Sequence, residues 1–512
     1  MKGWERAYNS GRPADIGLLL EGTFPFVSGG VSSWVNQIIK GFPELSFALV
    51  FIGGARENYA EPRYPLPENV THLETHYLMD VKSAAKPKRS SGDAELYAQV
   101  AKLHESLRRP GHEHLVENLS GMVHELGTSN QLDLETFLYS KASWDLISES
   151  YSQFCTEPSF VNYFWTVRMM HAPLFKLAQL AQHIPEVKAF HSVSTGYAGF
   201  LGMLLHYRRN LPLILSEHGI YTKERKIDLA QADWIGTPRE VFGGNLNADV
   251  SYIRRLWIRF FESLGHTIYK AADPIVSLYE GSRQRQISDG AAPDRTRVVA
   301  NGIALSVYAA ARIERPDGPP PVLALIGRVV PIKDIKTFIR AMRTVCNLVP
   351  EAEGWVVGPE DEDPQYVSEC KALVENLGLQ GKVKFLGFQR TDDLLRKVGV
   401  VVLTSISEAL PLVLLEGFAA GIPAVVTDVG ACRELIEGNT PEDRELGKAG
   451  SVVPIATPVA TARAALKLLQ DPAHWQATSQ AAIKRVETFY SEQEMFASYR
   501  EIYRRVMTEG AD

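Results

Sequence analysis

The sequence predicts an α/β protein made of two doubly wound, Rossmann-like domains. A chain of 512 residues is longer than one ordinary hydrophobic core supports. Short apolar strands alternate with helical segments along most of it, which is typical of parallel sheets covered on both faces. A proline-rich stretch, IERPDGPPPV, separates two such regions and has the composition of a linker. We therefore predict a first domain at 1–312 and a second at 313–489.

The first domain opens with a βαβ pattern. The strand IGLLLEG, a glycine-bearing loop and an amphipathic helix lead to the strand FALVFIGG. A strand is predicted near 71–78, and residues 80–160 then become polar, basic and irregularly helical, which indicates an insertion. Alternation resumes with a helix at 161–182, the strands EVKAFHS and PLILSEHG around another helix, and a polar loop at 220–238.

The helix predicted over 251–272 carries an aromatic stripe that includes Trp257, Phe260 and Phe261, with arginines beside it. Such a helix could lie on a membrane surface. Core packing with exposed arginines is the favoured interpretation, because buried amphipathic helices are far commoner.

The second domain shows the most regular alternation. Its predicted strands are VLALIG, GWVVG, KVKFLG, VVVLTS, AVVTDV and SVVP. A final amphipathic helix within 490–512 can pack back onto the first domain.

Composition limits the functional classes. The formal net charge of -6 gives no global attraction to nucleic acid. The four cysteines have no CxxC spacing, so neither zinc nor a disulfide framework is indicated. The N-terminus has no apolar signal core, and no apolar run reaches roughly 18 residues. We expect a cytoplasmic protein without a transmembrane segment.

Two cations follow the strand VLALIG, where doubly wound sheets bind ligands. Arg328 and Lys333 lie five residues apart at a strand-to-helix junction, an arrangement that suits a diphosphate. Taken alone, the pair could equally be two solvated side chains.

Two acids follow the strand VVVLTS. Glu408 lies in the loop and Glu416 interrupts the apolar helix LVLLEGFAAG, where an unpaired carboxylate is costly. A ribose diol would satisfy Glu416; an ion pair with a neighbouring Arg or Lys is the alternative.

The stretches GRVVPIKD, GPE and SEALPLVLLEGFAAGIPAVVTDVG together resemble the donor site of family 4 glycosyltransferases. Those enzymes have the GT-B fold of two facing Rossmann-like domains. The resemblance implies that Arg328 and Lys333 neutralise the donor diphosphate, that Glu408 contacts the sugar and that Glu416 contacts the ribose. It also implies donor contacts from Gly327, Gly358, Phe388, Ala409, Leu410, Leu412 and Val413. The sequence Ala409-Leu410-Pro411 departs from the family's glycine-rich turn, which can alter sugar selectivity.

In the first domain, Gly29 and Gly30 precede a helix and offer backbone N–H groups to the donor phosphates. His191 and His218 each end an apolar strand, where the family carries sugar-contacting histidines; a lone histidine is more often only a satisfied polar residue. The loop after His218 adds acceptor-side candidates: Lys223, Glu224 and Arg225.

The resemblance implies a retaining, metal-independent hexosyltransferase that uses a UDP-sugar and no cofactor. The acidic run Asp361, Glu362 and Asp363 is interpreted as solvated rather than metal-binding. From EGTFPFVSGGVSSW through SEHGIYTKERKIDL to the two acids, the chain resembles the glycosyltransferases of Pel exopolysaccharide biosynthesis. This implies UDP-N-acetylgalactosamine, UDP-N-acetylglucosamine or UDP-glucose as donor, a polysaccharide acceptor, and recruitment to inner-membrane synthase components. A catalytically silent UDP-sugar-binding subunit and a GT-B nucleotide-sugar epimerase are the alternatives.

Overall fold

The computed structural model describes residues 5–79, 90–108, 123, 125–126, 132–156, 159–231, 251–313 and 318–509. The chain divides into two compact units. Unit 1 comprises 1–298 and 500–512, and unit 2 comprises 299–499. Parts of the predicted insertion, linker and 220–238 loop lie outside the described residues.

Unit 1 is built on an eight-stranded sheet in the order β1-β4-β3-β2-β5-β6-β7-β8, in which all neighbours are parallel except β1 and β4. The chain runs outward from β2 in both directions, so the sheet has a switch point between β2 and β5. The strands are β1 Glu5–Asn9, β2 Ile16–Glu21, β3 Phe47–Gly53, β4 Val70–Tyr77, β5 Ala189–Ser192, β6 Leu213–Glu217, β7 Ile275–Ser277 and β8 Thr296–Val298.

Helices cover this sheet, and those of the predicted insertion contribute to its core. Tyr97, Phe137 and Ile147 are buried in the same apolar cluster as the sheet residues Leu19 and Phe190. The helices of unit 1 are Gly30–Gly41, Ala94–Arg108, Leu134–Tyr139, Lys141–Phe154, Phe160–Leu180, Tyr197–Arg209, Tyr221–Gln231, Tyr252–Ala271 and Glu280–Ser288.

The structure tests two predictions made for unit 1, the packing of one helix and the position of one loop. Trp257, Phe260 and Phe261 are buried, so core packing of helix Tyr252–Ala271 is confirmed, but its arginines are half-buried rather than exposed. The predicted polar loop at 220–238 is wrong at its start, because helix Tyr221–Gln231 begins there. Lysines, arginine and glutamate support a helix even where no clear apolar face marks it.

Unit 2 is built on a six-stranded parallel sheet in the order β11-β10-β9-β12-β13-β14, and all six predicted strands are present. They are β9 Val322–Ile326, β10 Glu353–Val357, β11 Val383–Phe385, β12 Val400–Leu403, β13 Ala424–Thr427 and β14 Gly450–Val453. The helices are Leu305–Ile313, Ile335–Leu348, Pro364–Asn376, Thr391–Leu394, Leu412–Ala419, Cys432–Glu437, Pro441–Glu445, Pro458–Gln470 and Pro472–Phe489.

The division between the units differs from the sequence-based boundary at 312/313. Helix Leu305–Ile313 packs against helix Leu412–Ala419 and so belongs to unit 2. The last helix, Glu492–Glu509, contributes its residues from Arg500 onward to unit 1. There the hydroxyl of Tyr503 lies 2.9 Å from His191 Nδ1, and the Tyr503 ring contacts Phe42 and Phe47 edge-on.

No helix in the described part of the chain is both long and apolar enough to cross a membrane.

Candidate functional site

The loops that follow β9 and β12 bring Lys333 and Glu408 together in unit 2. These strands are neighbours in the sheet, so residues 75 positions apart meet at its carboxyl edge. Lys333 Nζ donates to Glu408 Oε1 at 2.5 Å, and Ser405 Oγ donates to the same oxygen at 2.6 Å. Both charged side chains are largely buried, with 21% and 12% exposed.

The backbone around Lys333 is fixed by its neighbours. Asp334 has a φ of 44° and caps the helix Ile335–Leu348 by accepting from the backbone N–H of Thr337. Thr404 Oγ1, at the end of β12, lies 3.0 Å from the carbonyl oxygen of Lys333 and 2.9 Å from that of Asp334. The Lys333 turn is therefore tied to the loop that carries Glu408.

Arg328 is held in a different way. Its Nη1 donates to both carboxylate oxygens of Glu362 at 2.7 Å, and both side chains are about half exposed. The acidic run is therefore more than a solvated stretch: Glu362 pairs with Arg328, and Asp363 caps helix Pro364–Asn376. An exposed pair contributes little to stability, so an incoming anion can replace Glu362 at small cost.

Glu416 lies in helix Leu412–Ala419 and has hydroxyl partners. The side chains of Tyr308 and Thr391 hydrogen-bond its carboxyl group. Burial, and to a smaller extent nearby Asp392, raises the pKa of Glu416 to about 7. These two protein hydroxyls, and not the Arg or Lys of the alternative ion pair, are the partners of Glu416 in the described residues.

Two glycines allow the loops after β9 and β10 to touch through their backbones. Gly358 has a φ of 149°, and a Cβ there would come within 2.0 Å of the Gly327 carbonyl oxygen. A Cβ at Gly327 would lie 3.4 Å from Cε of Lys333. Any side chain at position 358 would therefore displace the loop that leads to Arg328.

The other residues predicted to contact the donor differ in exposure. Leu410 is buried, Ala409, Leu412 and Val413 are half-buried, and Phe388 is 80% exposed after β11. The Ala409 carbonyl accepts from the backbone N–H of Ala431 at 2.8 Å, which joins this loop to the one after β13. Within the described ranges, no three His, Cys, Asp or Glu side chains are grouped as a metal site.

Unit 1 contains a cavity of about 480 Å³ at the carboxyl ends of its parallel strands. This is the edge at which doubly wound sheets bind ligands, close to the switch point between β2 and β5. Of the predicted residues, His218, Glu224 and Arg225 line it, whereas Lys223, His191, Gly29 and Gly30 do not. The strand ends that contribute are residues 21–23, 52–54, 78–79, 193–194 and 218–219.

His218 and His191 have different surroundings. The His218 ring packs edge-on against Trp34 with centroids 4.5 Å apart, and its Nε2 has no hydrogen-bond partner among the described residues. Burial lowers the pKa of His218 to about 3, so the ring is neutral near pH 7. His191 is fully buried. Its Nδ1 hydrogen-bonds the Tyr503 hydroxyl, and its Nε2 lies 2.8 Å from Ser216 Oγ. Burial lowers its pKa to about 3 as well.

The residues 223–225 begin helix Tyr221–Gln231 rather than lying in a loop. Glu224 and Arg225 reach the cavity from its first turn, and the Arg225 guanidinium stacks over the Tyr221 ring at 5.1 Å. Gly29 and Gly30 stand at the start of helix Gly30–Gly41. Both are exposed, and a Cβ at either would meet nothing within 4 Å.

Glu21 is a cavity residue that the sequence analysis missed. It ends β2, and its Oε1 accepts from Tyr221 Oη at 3.0 Å. Its Oε2 lies 3.2 Å from the backbone N of Ala198 and 3.3 Å from Ser194 Oγ. A charged residue ending an apolar strand was available as a signal, because the same pattern identified His191 and His218.

Comparisons with known proteins agree with this architecture. Residues 309–485 match the family described as glycosyl transferases group 1, and residues 14–294 match a domain of unknown function, DUF3492. In solved structures, a sucrose-phosphate synthase from Thermosynechococcus elongatus is 16% identical with a TM-score of 0.56, covering 97% of this chain and all of that one. Anabaena HepE in complex with UDP and glucose is 14% identical with a TM-score of 0.57, covering 96% and 99%. The predicted two-domain GT-B fold is thereby confirmed.

Curated relatives match over shorter stretches. An exopolysaccharide phosphotransferase of Streptomyces coelicolor is 32% identical over 31% of this chain and 16% of its own length. A D-inositol 3-phosphate glycosyltransferase of Acidothermus cellulolyticus is 28% identical over 46% of this chain and 50% of its own. The matches thus span half or less of these relatives. The chain belongs to the DUF3492 family, and its residues 309–485 match the model of the glycosyl transferases group 1 family.

Proposed function

We propose that this protein is a retaining hexosyltransferase that transfers a sugar from a UDP-sugar to a polysaccharide and needs no metal. The observation that carries the proposal is the arrangement at the carboxyl edge of β9 and β12. There Lys333 is fixed against Glu408 and Arg328 lies on the same loop as Lys333. Two positioned cations beside a carboxylate suit a diphosphate whose sugar offers hydroxyl donors.

In the proposed reaction, an acceptor hydroxyl oxygen forms a bond to the anomeric carbon on the face from which UDP leaves. The bond from that carbon to the phosphate oxygen breaks, and its electron pair goes to the diphosphate. The hydroxyl proton passes to a phosphate oxygen. Arg328 and Lys333 stabilise the negative charge that develops on the leaving group, while Glu408 accepts from sugar hydroxyls and Glu416 from the ribose.

The cavity of unit 1 is assigned to the acceptor side. His218 lines the cavity wall and is neutral, so the acceptor sugar meets an uncharged ring there. Glu21, Glu224 and Arg225 supply further polar contacts along the wall. His191 is a positioning residue in this scheme, because both of its ring nitrogens bind protein hydroxyls.

We further propose the Pel exopolysaccharide as product and inner-membrane synthase components as partners, reached from the cytoplasmic face. Motifs in both halves of the chain resemble those of PelF, a glycosyltransferase of Pel biosynthesis, and this resemblance supports the proposal. A Streptomyces coelicolor relative named as an exopolysaccharide phosphotransferase supports it as well. The donor would be UDP-N-acetylgalactosamine, UDP-N-acetylglucosamine or UDP-glucose. An Anabaena neighbour that holds UDP and glucose supports a uridine donor.

Calorimetric titration with UDP, ADP and GDP in EDTA tests the donor assignment. We expect selective UDP binding that survives chelation. Arg328→Ala and Glu416→Ala should each weaken it by about 10- to 100-fold, the value of a lost charge-assisted hydrogen bond. Absence of UDP binding, or binding that neither variant changes, would refute the assignment of these residues.

The pKa of Glu416 predicts how donor affinity depends on pH. The carboxylate form accepts from ribose hydroxyls, so binding favours loss of the proton from a group whose pKa is about 7. UDP-glucose affinity should therefore be constant above about pH 7.5 and fall by up to about tenfold per pH unit below 7. UDP-glucose is the suitable probe because both of its phosphates are esterified and do not titrate there.

Calorimetry between pH 5.5 and 8.5 measures this dependence. Glu416→Gln keeps a hydrogen-bonding side chain but cannot titrate, so its profile should be flat. A wild-type profile that is flat across the range would contradict the role given to Glu416.

A further inference from the structure

Unit 1 has a second cleft, of about 510 Å³, remote in sequence from the residues assigned above. It lies among helices Leu134–Tyr139, Lys141–Phe154 and Phe160–Leu180. Tyr139, Trp144 and Phe164 form its aromatic part, and Ser90, Ser140, Lys141 and Arg168 belong to its polar part. We refer to these seven residues as the aromatic cleft. Its volume falls in the range of small-molecule sites.

Large aromatic side chains are unusually exposed here. Trp144 is 51% exposed and Tyr139 40%, and the adjacent Trp165 is 54% exposed. The Trp144 ring is held in place by Phe160 and Phe164, each with its centroid 5.6 Å away. Exposed apolar surface concentrated in one place marks a binding site more often than chance.

Arg168 adds a fixed polar group to this wall. Its guanidinium lies 5.8 Å from the centroid of Tyr139, 5.1 Å from that of Phe164 and 5.6 Å from that of Trp165. Its Nη1 donates to the Leu138 carbonyl oxygen at 2.7 Å. Contact with three rings and one hydrogen bond keep the guanidinium in the same orientation beside the cleft.

The surrounding charges indicate which ligand fits. Two basic residues line the cleft, Lys141 and Arg168, and Lys141 is paired with Asp145. Over the three helices, three acidic residues (Glu135, Asp145, Glu149) balance three basic ones (Lys141, Arg168, Lys176). Such a surface gives no electrostatic attraction to anionic lipid. A neutral sugar ring matches it better, because its C–H face can lie on an aromatic ring while its hydroxyls meet serine and arginine.

We propose that the aromatic cleft is a second saccharide-binding site, which holds part of a neutral oligosaccharide away from the site of transfer. The proposal rests on the proposed function only for the choice of sugars. Trp144 provides the stacking surface, and Arg168 and the Ser90 hydroxyl provide the hydrogen bonds. A growing chain held there stays near the enzyme between additions.

Titration with hexasaccharides of glucose, N-acetylglucosamine and N-acetylgalactosamine tests this site. We expect at least one to bind the wild type. Trp144→Ala should weaken that binding at least about tenfold through loss of the stacking surface, whereas Trp144→Tyr should retain most of it. Phe489→Ala is the matched control: this residue is 37% exposed in unit 2, and its removal should change nothing.

Three results would overturn the proposal: no binding of any of the three sugars, equal binding by Trp144→Ala, or cosedimentation with anionic vesicles in place of sugar binding. If Trp144→Ala no longer unfolds cooperatively on heating, Tyr139→Ala gives a second test of the cleft. UDP titration of the same variants separates this outcome from that of the proposed function, because UDP affinity should be unchanged in all of them.

Discussion

Replacing Lys333 by alanine is expected to lower the rate of UDP release from the donor sugar about 10²- to 10³-fold. The ammonium group is fixed by Glu408 and by the Thr404 hydrogen bonds to its loop, so it requires no reorganisation when charge develops on the diphosphate. The substitution also leaves the Glu408 carboxylate, only 12% exposed, without its cation. Steady-state release of UDP from each of the three candidate donors, with an oligosaccharide acceptor, measures the effect.

Lys336→Ala is the matched control. Lys336 lies three residues further on and also forms an ion pair, with Glu369 at 2.6 Å, but it has no assigned role in transfer. Its loss should leave the rate within about twofold, as for an exposed pair. Equal losses in both variants would remove Lys333 from the mechanism. Tight UDP binding with no turnover in the wild type would favour the silent binding subunit.

Replacing Arg485 by methionine is expected to lower the free energy of unfolding of unit 2 by about 3–5 kcal/mol. The guanidinium is fully buried and donates from Nε to Asp443 Oδ1 at 2.5 Å. Its terminal nitrogens donate to the carbonyl oxygens of Ile436, Asp443 and Gly447 at 2.8–2.9 Å. Methionine would fill the space but leave the buried Asp443 carboxylate without its counter-charge and remove one donor from each of the three carbonyls.

Chemical denaturation followed by circular dichroism measures this loss. The two units can unfold in two separate transitions, and only that of unit 2 should shift to a lower denaturant concentration. Arg433→Met is the control: it breaks two ion pairs, with Asp428 and Glu437, but on a side chain 52% exposed, so it should cost less than about 1 kcal/mol. Arg485→Met combined with Asp443→Asn should recover part of the stability, since the buried charge is then removed. Similar costs for Arg485→Met and Arg433→Met would contradict the role of burial.

The strands of unit 2 were predictable because each is a short, nearly continuous apolar run, which is what burial on both faces of a parallel sheet requires. β1 was not predicted, since Glu5–Asn9 is a short polar strand at an antiparallel edge. Helix Tyr221–Gln231 was taken for a loop because its charges are spread around it, although Tyr221 and Leu229 are buried.

The sequence indicated Lys333 and Glu408 as separate candidates but not the contact between them. The order of β9 and β12 in the sheet creates the pair of Lys333 and Glu408, and strand order cannot be derived from apolar patterning. Tyr308 was missed as a partner of Glu416 because the proline-rich stretch that follows it was taken as the domain boundary. Packing of its helix against helix Leu412–Ala419 overrides that signal.

The contribution of Tyr503 to unit 1 has a consequence for biosynthesis. Residues 1–298 leave the ribosome long before residue 503 is made, at a rate of about 5–20 residues per second. Until then His191 Nδ1, Phe42 and Phe47 lack the side chain that covers them in the finished protein. The first half of the polypeptide therefore cannot complete its packing until the second half has been translated.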